Sequence, residues 1–284
     1  MTSSTELHVS IPFGTLAGLA WGHPDARPLL ALHGWLDNAA SFAGLAPHLA
    51  DKHRFMALDL PGHGHSDHLP AQARRYHIVD QVDHVLDAAD ALGLEHFDLL
   101  GHSLGAGIAS LVAAAAPGRV RHLILIEGLG PLADDGTDTL ERWRKAHGQR
   151  QRANGKPRTF ASVDEAVAAR IAVDGLQPDE VRPIVERNLQ AANGGFTWRS
   201  DSRLRRPTLL RTGETQVRDL LVGIQSPTLL MLARPTTPHL PSAQMRERAG
   251  QVRDIRIAHI EGPHHLHLRD PRQVAACMLG FLEV

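Results

Sequence analysis

Apolar and polar residues follow two distinct rhythms along this chain. Short apolar runs closed by Gly, Pro or Asp recur as "PLLALHG" (28–34), "RFMALDLPG" (54–62), "FDLLGHS" (97–103), "HLILIEG" (122–128), "PTLLMLA" (227–233) and "RDIRIAHIEG" (253–262). Near-continuous apolar runs of this length predict strands buried on both faces, as in a parallel sheet. Longer stretches with helical spacing lie between several of them. In "HIVDQVDHVLDAADALG", Ile78, Val82, Val85, Leu86, Ala89 and Leu92 recur three or four positions apart, which predicts a helix with one apolar face. Strands alternating with helices predict an α/β fold whose functional groups lie beyond the carboxyl ends of the strands.

The rhythm changes between about Pro131 and Ile224. There "TLERWRKAHGQRQRA", "SVDEAVAARIAV" and "PDEVRPIVERNLQ" read as consecutive helices without an intervening strand. The expected organisation is a core from 1–130 and 225–284, with 131–224 inserted as a helical lid. Within it, segment 142–158 carries Arg142, Arg144, Lys145, Arg150, Arg152, Lys156 and Arg158 and no acid. A solvated lid face accounts for that run, and no aromatic interleaving points to nucleic acid.

Composition narrows the partners. A 284-residue chain that is 43% hydrophobic can bury a sizeable interior. Its formal net charge of -1 supplies no general attraction to nucleic acid or anionic membrane. No run approaches the roughly 18 to 20 apolar residues of a membrane span. One cysteine, Cys277, excludes an internal disulfide, and the start "MTSSTELHVS" has no secretory pattern, so a cytoplasmic protein is expected. Homo-oligomerisation is left open.

The chemistry concentrates in three places. Gly101-His102-Ser103-Leu104-Gly105 follows the strand run "HFDLL" and precedes the small-residue helix "AGIASLVAAAA". G-x-S-x-G in this context marks a strained strand-to-helix turn that raises a serine hydroxyl above the sheet, at a helix N-terminus that favours developing negative charge. With these residues the chain resembles the α/β-hydrolase superfamily. "LHGWLDNAASF", "LDLPGHGHSD", "EGLGPL" and "GGFTWRSDSRL" resemble, more narrowly, its serine hydrolase-like branch of lidded enzymes.

That resemblance assigns roles residue by residue. His33-Gly34-Trp35 is similar to the family's oxyanion loop, which implies that the backbone N–H groups of Trp35 and Leu104 bind the oxyanion. His33 is expected to brace the loop, and Trp35 and His102 are expected along the substrate pocket. "IEGPHHLHLRDP" resembles the histidine loop, and counting back from Pro271 puts the catalytic imidazole at His264, with His265 as the alternative. The acid departs from the commonest pattern: the loop after "PTLLMLA" reads "RPTTPHLP", with Thr236 where an Asp is usual. Glu127, at the end of the preceding strand, is the expected substitute, as in some relatives. The triad is thus Ser103, Glu127 and His264.

His63, His65, Asp67 and His68 spell H-x-H-x-D-H, which resembles the zinc signature of metallo-β-lactamase-type hydrolases. That signature needs further distant ligands and a different architecture, so no metal and no cofactor is expected for catalysis. The expectation is a metal-independent serine hydrolase acting on small-molecule carboxylic esters, thioesters or lactones. Carbon–carbon bond hydrolysis on the same fold and a non-catalytic ligand-binding protein are the alternatives.

Overall fold

Eight strands form the central sheet in a computed structural model that describes residues 3–152, 158–192 and 194–283. In chain order they are β1 (Thr5–Ile11), β2 (Gly14–Trp21), β3 (Arg27–Leu32), β4 (His53–Leu58), β5 (Phe97–His102), β6 (Val120–Ile126), β7 (Thr228–Arg234) and β8 (Ile255–Glu261). The spatial order is β1-β2-β4-β3-β5-β6-β7-β8. All pairings from β4 to β8 are parallel, while β1 and β2 form an antiparallel hairpin that joins β4 antiparallel. The six apolar runs of the sequence supply β3 to β8. In the hairpin, β1 buries only its inward positions Val9 and Ile11, as expected at a sheet edge, while β2 buries Leu16, Ala17, Gly18 and Trp21.

Helices cover both faces. Helix α1 (Asp80–Ala91) and helix α2 (Leu104–Ala115) pack on one side, against Leu30, Leu32, Leu99, Leu123 and Leu125, which point one way from the strands. The C-terminal helix Pro271–Leu282 packs on the other side, against Leu29, Ala31, Leu100, Ile124 and Met231. Alternating residues of β3 to β7 thus feed two separate cores, which is why the central stretches of these runs contain no polar break; β8, at the sheet edge, is mostly exposed and carries Arg256 and His259.

Between β6 and β7 the chain forms helices at Thr139–Arg152, Val163–Asp174, Pro178–Asn188 and Glu214–Val222. The expectation of an insertion without strands is corrected. Gly195–Trp198 pairs antiparallel with both Leu189–Ala192 and Thr159–Phe160. The aromatic and β-branched "FTW" favours extended backbone, and Phe160 stacks edge-on to Trp198 with ring centroids 4.8 Å apart. These rings lie in the insertion's own small core with Val167, Leu176 and Val181. Of the basic run, Arg142 pairs with Asp134 at 2.6 Å and Arg158 lies over the Phe160 ring. Lys156 falls outside the described residues.

One arginine fastens the insertion to the sheet. Arg187 Nη1 donates to Glu6 Oε1 in β1 at 2.7 Å, and its Nε donates to Asp59 Oδ2 beyond β4 at 2.9 Å. Asp59 is fully buried and also accepts the N–H groups of Ala39 and His65. A buried carboxylate is tolerated only when paired in this way. Among the described residues, no helix is long and apolar enough to cross a membrane.

Candidate active site

Register brings the candidate residues to one level. His102 in β5 lies opposite Ile126 in β6, and Ile126 lies opposite Met231 in β7. Ser103 and Glu127 are the next residues, so both leave the sheet side by side. The Ser103 N–H donates to the Ile126 carbonyl and the Glu127 N–H to the Met231 carbonyl, each at 2.9 Å.

Both turns are sharp. Ser103 has φ 51° and Glu127 φ 54°. Leu36, immediately after Trp35, has φ 61°, and these three are the non-glycine residues with positive φ among the described residues. Such backbone costs about 1–3 kcal/mol per residue and persists where surrounding structure enforces it. The flanking glycines make the serine turn possible. A Cβ on Gly101 would sit 2.3 Å from the Gly105 carbonyl oxygen, and one on Gly105 would sit 2.1 Å from that of Leu32.

The three side chains meet. His264 Nε2 lies 2.9 Å from Ser103 Oγ, and His264 Nδ1 lies 3.0 Å from Glu127 Oε2. His265, the alternative base, turns instead toward Asp37, with Nε2 at 3.4 Å from Oδ2. Glu127 is 2% exposed and has further donors: the Ala233 N–H reaches Oε1 at 2.6 Å, and the Thr237 hydroxyl donates to Oε2. Burial alone would raise its pKa, but the bonds from His264, Thr237 and Ala233 outweigh it and hold the carboxyl below its usual value. Thr236, at the position where an acid is common, bonds to Ser242. The loop beyond β7 thus offers donors to the acid of β6. Sequence reasoning missed Thr237, although a relocated carboxylate buried there requires such a donor.

Around the serine, His33 locks the loop of Trp35. Its Nδ1–H donates to the Gly34 carbonyl at 2.7 Å, and its Nε2 accepts the Leu60 N–H at 2.9 Å. The N–H of Leu104 belongs to the first turn of α2, where no helical carbonyl reaches it. Trp35 is 54% exposed and its indole N–H donates to the Leu204 carbonyl of the insertion. The expectation for His102 is corrected: it is fully buried, so it touches no substrate. Its Nε2–H donates to the His264 carbonyl at 3.1 Å and steadies the histidine loop from beneath.

The histidine-rich turn is absorbed by structure. The His63 ring is buried and its Nδ1–H donates to the Pro61 carbonyl. Asp67 accepts the Thr15 N–H at 2.8 Å, and His68 Nε2–H donates to the Arg199 carbonyl at 3.0 Å. These groups face separate partners and do not converge.

Comparison with known proteins fits this arrangement. The family model described as alpha/beta hydrolase fold matches residues 27–262. Over 96% of this chain and 81% of the relative, the sequence is 31% identical to a serine hydrolase-like protein of Dictyostelium discoideum. This chain belongs to the serine hydrolase-like branch of the α/β-hydrolase family. A serine hydrolase-like protein of Danio rerio is 29% identical over 99% of this chain and 89% of its own. A crystal structure of a hypothetical protein from Pseudomonas aeruginosa PAO1 superposes with a TM-score of 0.90 at 35% identity, covering the whole of both chains. The α/β-hydrolase match spans β3 to the end of β8, and therefore includes Ser103 and Glu127 but stops just before His264.

Proposed function

We propose that this protein is a serine hydrolase that cleaves carboxylic esters, or close acyl derivatives such as thioesters and lactones, through an acyl-enzyme. The observation that carries the reading is the continuous hydrogen-bond chain Ser103–His264–Glu127 beneath a helix N-terminus. His264 Nε2 takes the Ser103 proton as Oγ attacks the acyl carbon, and the Nδ1–H bond to Glu127 stabilises the imidazolium so formed. The backbone N–H groups of Trp35 and Leu104 receive the oxyanion, each such donor typically worth about 10²- to 10³-fold in turnover. Collapse expels the alcohol, protonated by His264, and water repeats the sequence to free the acid. No step needs a metal or cofactor.

The test is intact-mass measurement after exposure to a fluorophosphonate. One adduct on the wild type that is absent from Ser103→Ala is expected. A folded wild type without an adduct, or an equally labelled Ser103→Ala, overturns the proposal.

A further inference from the structure

We propose that Asp37, His102 and His265 form a site for a divalent transition-metal ion of the zinc type, which takes no part in the reaction and inhibits the adjacent triad when bound. One ligand atom from each residue lies within 4.8 Å of the others. Asp37 Oδ2 is 3.4 Å from His265 Nε2 and 3.8 Å from His102 Nδ1. In a tetrahedral zinc site with ligands at about 2.0–2.1 Å, neighbouring ligand atoms stand roughly 3.3 Å apart. The two separations from Asp37 are close to that spacing, and the two histidines would close on the ion from within 4.8 Å of each other.

Hydrogen bonding fixes which atoms face inward. The His264 carbonyl can only accept, so the proton of His102 is on Nε2 and its Nδ1 carries a lone pair. The lone pair points at a carboxylate oxygen, which also only accepts. His102 Nδ1 has no hydrogen-bond partner among the described residues, and its side chain, like that of Asp37, is 1% exposed. Asp37 Oδ2 has His265 Nε2 beside it at 3.4 Å, so the lone pair of His102 is the buried acceptor left without a donor or a cation. Two imidazoles and one carboxylate select zinc-like ions over calcium or magnesium.

The surroundings fit an ion. A Cβ on Gly34 would lie 2.8 Å from His102 Nδ1 and 3.1 Å from Asp37 Oδ2, so glycine leaves this approach open. Arg170 Nη2 holds Asp37 Oδ1 at 2.6 Å and thereby aims Oδ2 at the histidines. Its positive charge also weakens cation binding, which suits a reversible inhibitor rather than a permanent structural metal. The His102 and His264 rings are 5.0 Å apart between centroids, so a dipositive ion opposes the imidazolium that His264 must form. That inhibition rests on the serine-hydrolase reading; the binding of the ion does not.

Cobalt(II) titration followed by visible absorption, with zinc as competitor, tests the site on wild type, His265→Gln, Asp37→Asn and His68→Gln. One tetrahedral cobalt per chain, displaced by zinc, is expected on wild type and on His68→Gln. Since losing a mere outer-shell partner costs 10- to 100-fold in affinity, losing the His265 ligand should cost about 100-fold or more. Saturating zinc should slow fluorophosphonate labelling about 10- to 100-fold in wild type, reversibly with chelator, and leave His265→Gln unaffected. Should His265→Gln fail to fold by circular dichroism, Asp37→Asn carries the same comparison. No stoichiometric cobalt signal, equal binding by His265→Gln, or loss of the signal in His68→Gln overturns the proposal, the last by assigning the ion to adventitious surface histidines. Absence of labelling in metal-free wild type sinks the hydrolase reading alone.

Discussion

Two buried carboxylates, Glu127 and Asp37, each face one of two consecutive histidines, yet their surroundings assign them different work. Glu127 is surrounded by neutral donors, the Ala233 N–H and the Thr237 hydroxyl, so its charge remains available to His264. Asp37 is already paired with Arg170, and the ring it faces, His265, has no serine on its other side. The residue types are nearly the same in both pairs. What decides the role is the third partner of each carboxylate and the group on the far side of each ring.

The largest effect that can break this comparison comes from Glu127→Gln. An amide cannot hold the imidazolium, and an equivalent change in a serine protease lowers turnover about 10⁴-fold. We expect a loss of that order in kcat for an activated ester with the fold intact; hydrolysis at the wild-type rate would remove Glu127 from the triad. A smaller effect is expected at Thr237. Thr237→Val removes one charge-assisted bond from Glu127, a loss on the order of 1.5–3 kcal/mol, and should lower kcat about 10- to 100-fold with KM unchanged. Thr237→Ser, which keeps the donor, should stay close to wild type, and equal losses in both variants would count against the hydroxyl.

At neutral pH the two carboxylates are alike in being ionised, and acid brings the smallest of these differences into view. Both have native pKa values depressed below their ordinary ones. Stability drawn from them is therefore complete only above their ordinary values, from about pH 5 upward, and is lost as pH drops from there through the native values. A separate loss starts earlier. His63 is held neutral by burial, its pKa lowered to about 3, while the unfolded chain takes up that proton near pH 6.5. His267, with its pKa also lowered to about 3, and the buried His33 and His102 act in the same direction. Denaturant melts at pH 7, 5.5 and 4 should show stability declining across the whole interval, and His63→Gln should make the upper part less steep without levelling it. A level profile from pH 7 to 5.5 would contradict the buried neutral histidine.

Much of this was legible in the sequence because it was local. G-x-S-x-G declared the serine turn, and the apolar runs declared the parallel sheet, since burial on both faces of β3 to β7 leaves no polar interruption in their central stretches, while β8 was read from its aliphatic residues despite Arg256 and His259. His264 and Glu127 were expected only through the family resemblance, the first from its place ahead of Pro271 in the histidine loop, the second because the loop after β7 holds no acid and some relatives carry theirs at the end of the preceding strand. Contacts between distant segments were not legible. Thr237 is 110 positions from Glu127, and Arg170 is 133 from Asp37. Neither pairing leaves a trace in spacing or period. The hairpin of β1 and β2 escaped because β1 buries only alternate residues and β2 is built largely of small residues, and the small sheet of the insertion because its strands are two to four residues long.

Arg187 also bears on the order in which the molecule assembles. Its guanidinium is satisfied only when Glu6 and Asp59, 181 and 128 positions away, are already in place. The expectation is that contacts between segments so far apart in sequence form late, after the sheet. Contacts made after the rate-limiting step govern how fast a protein comes apart rather than how fast it forms. Stopped-flow kinetics of Arg187→Met should accordingly show faster unfolding at nearly unchanged refolding, making this one side chain a latch on the lifetime of the folded state.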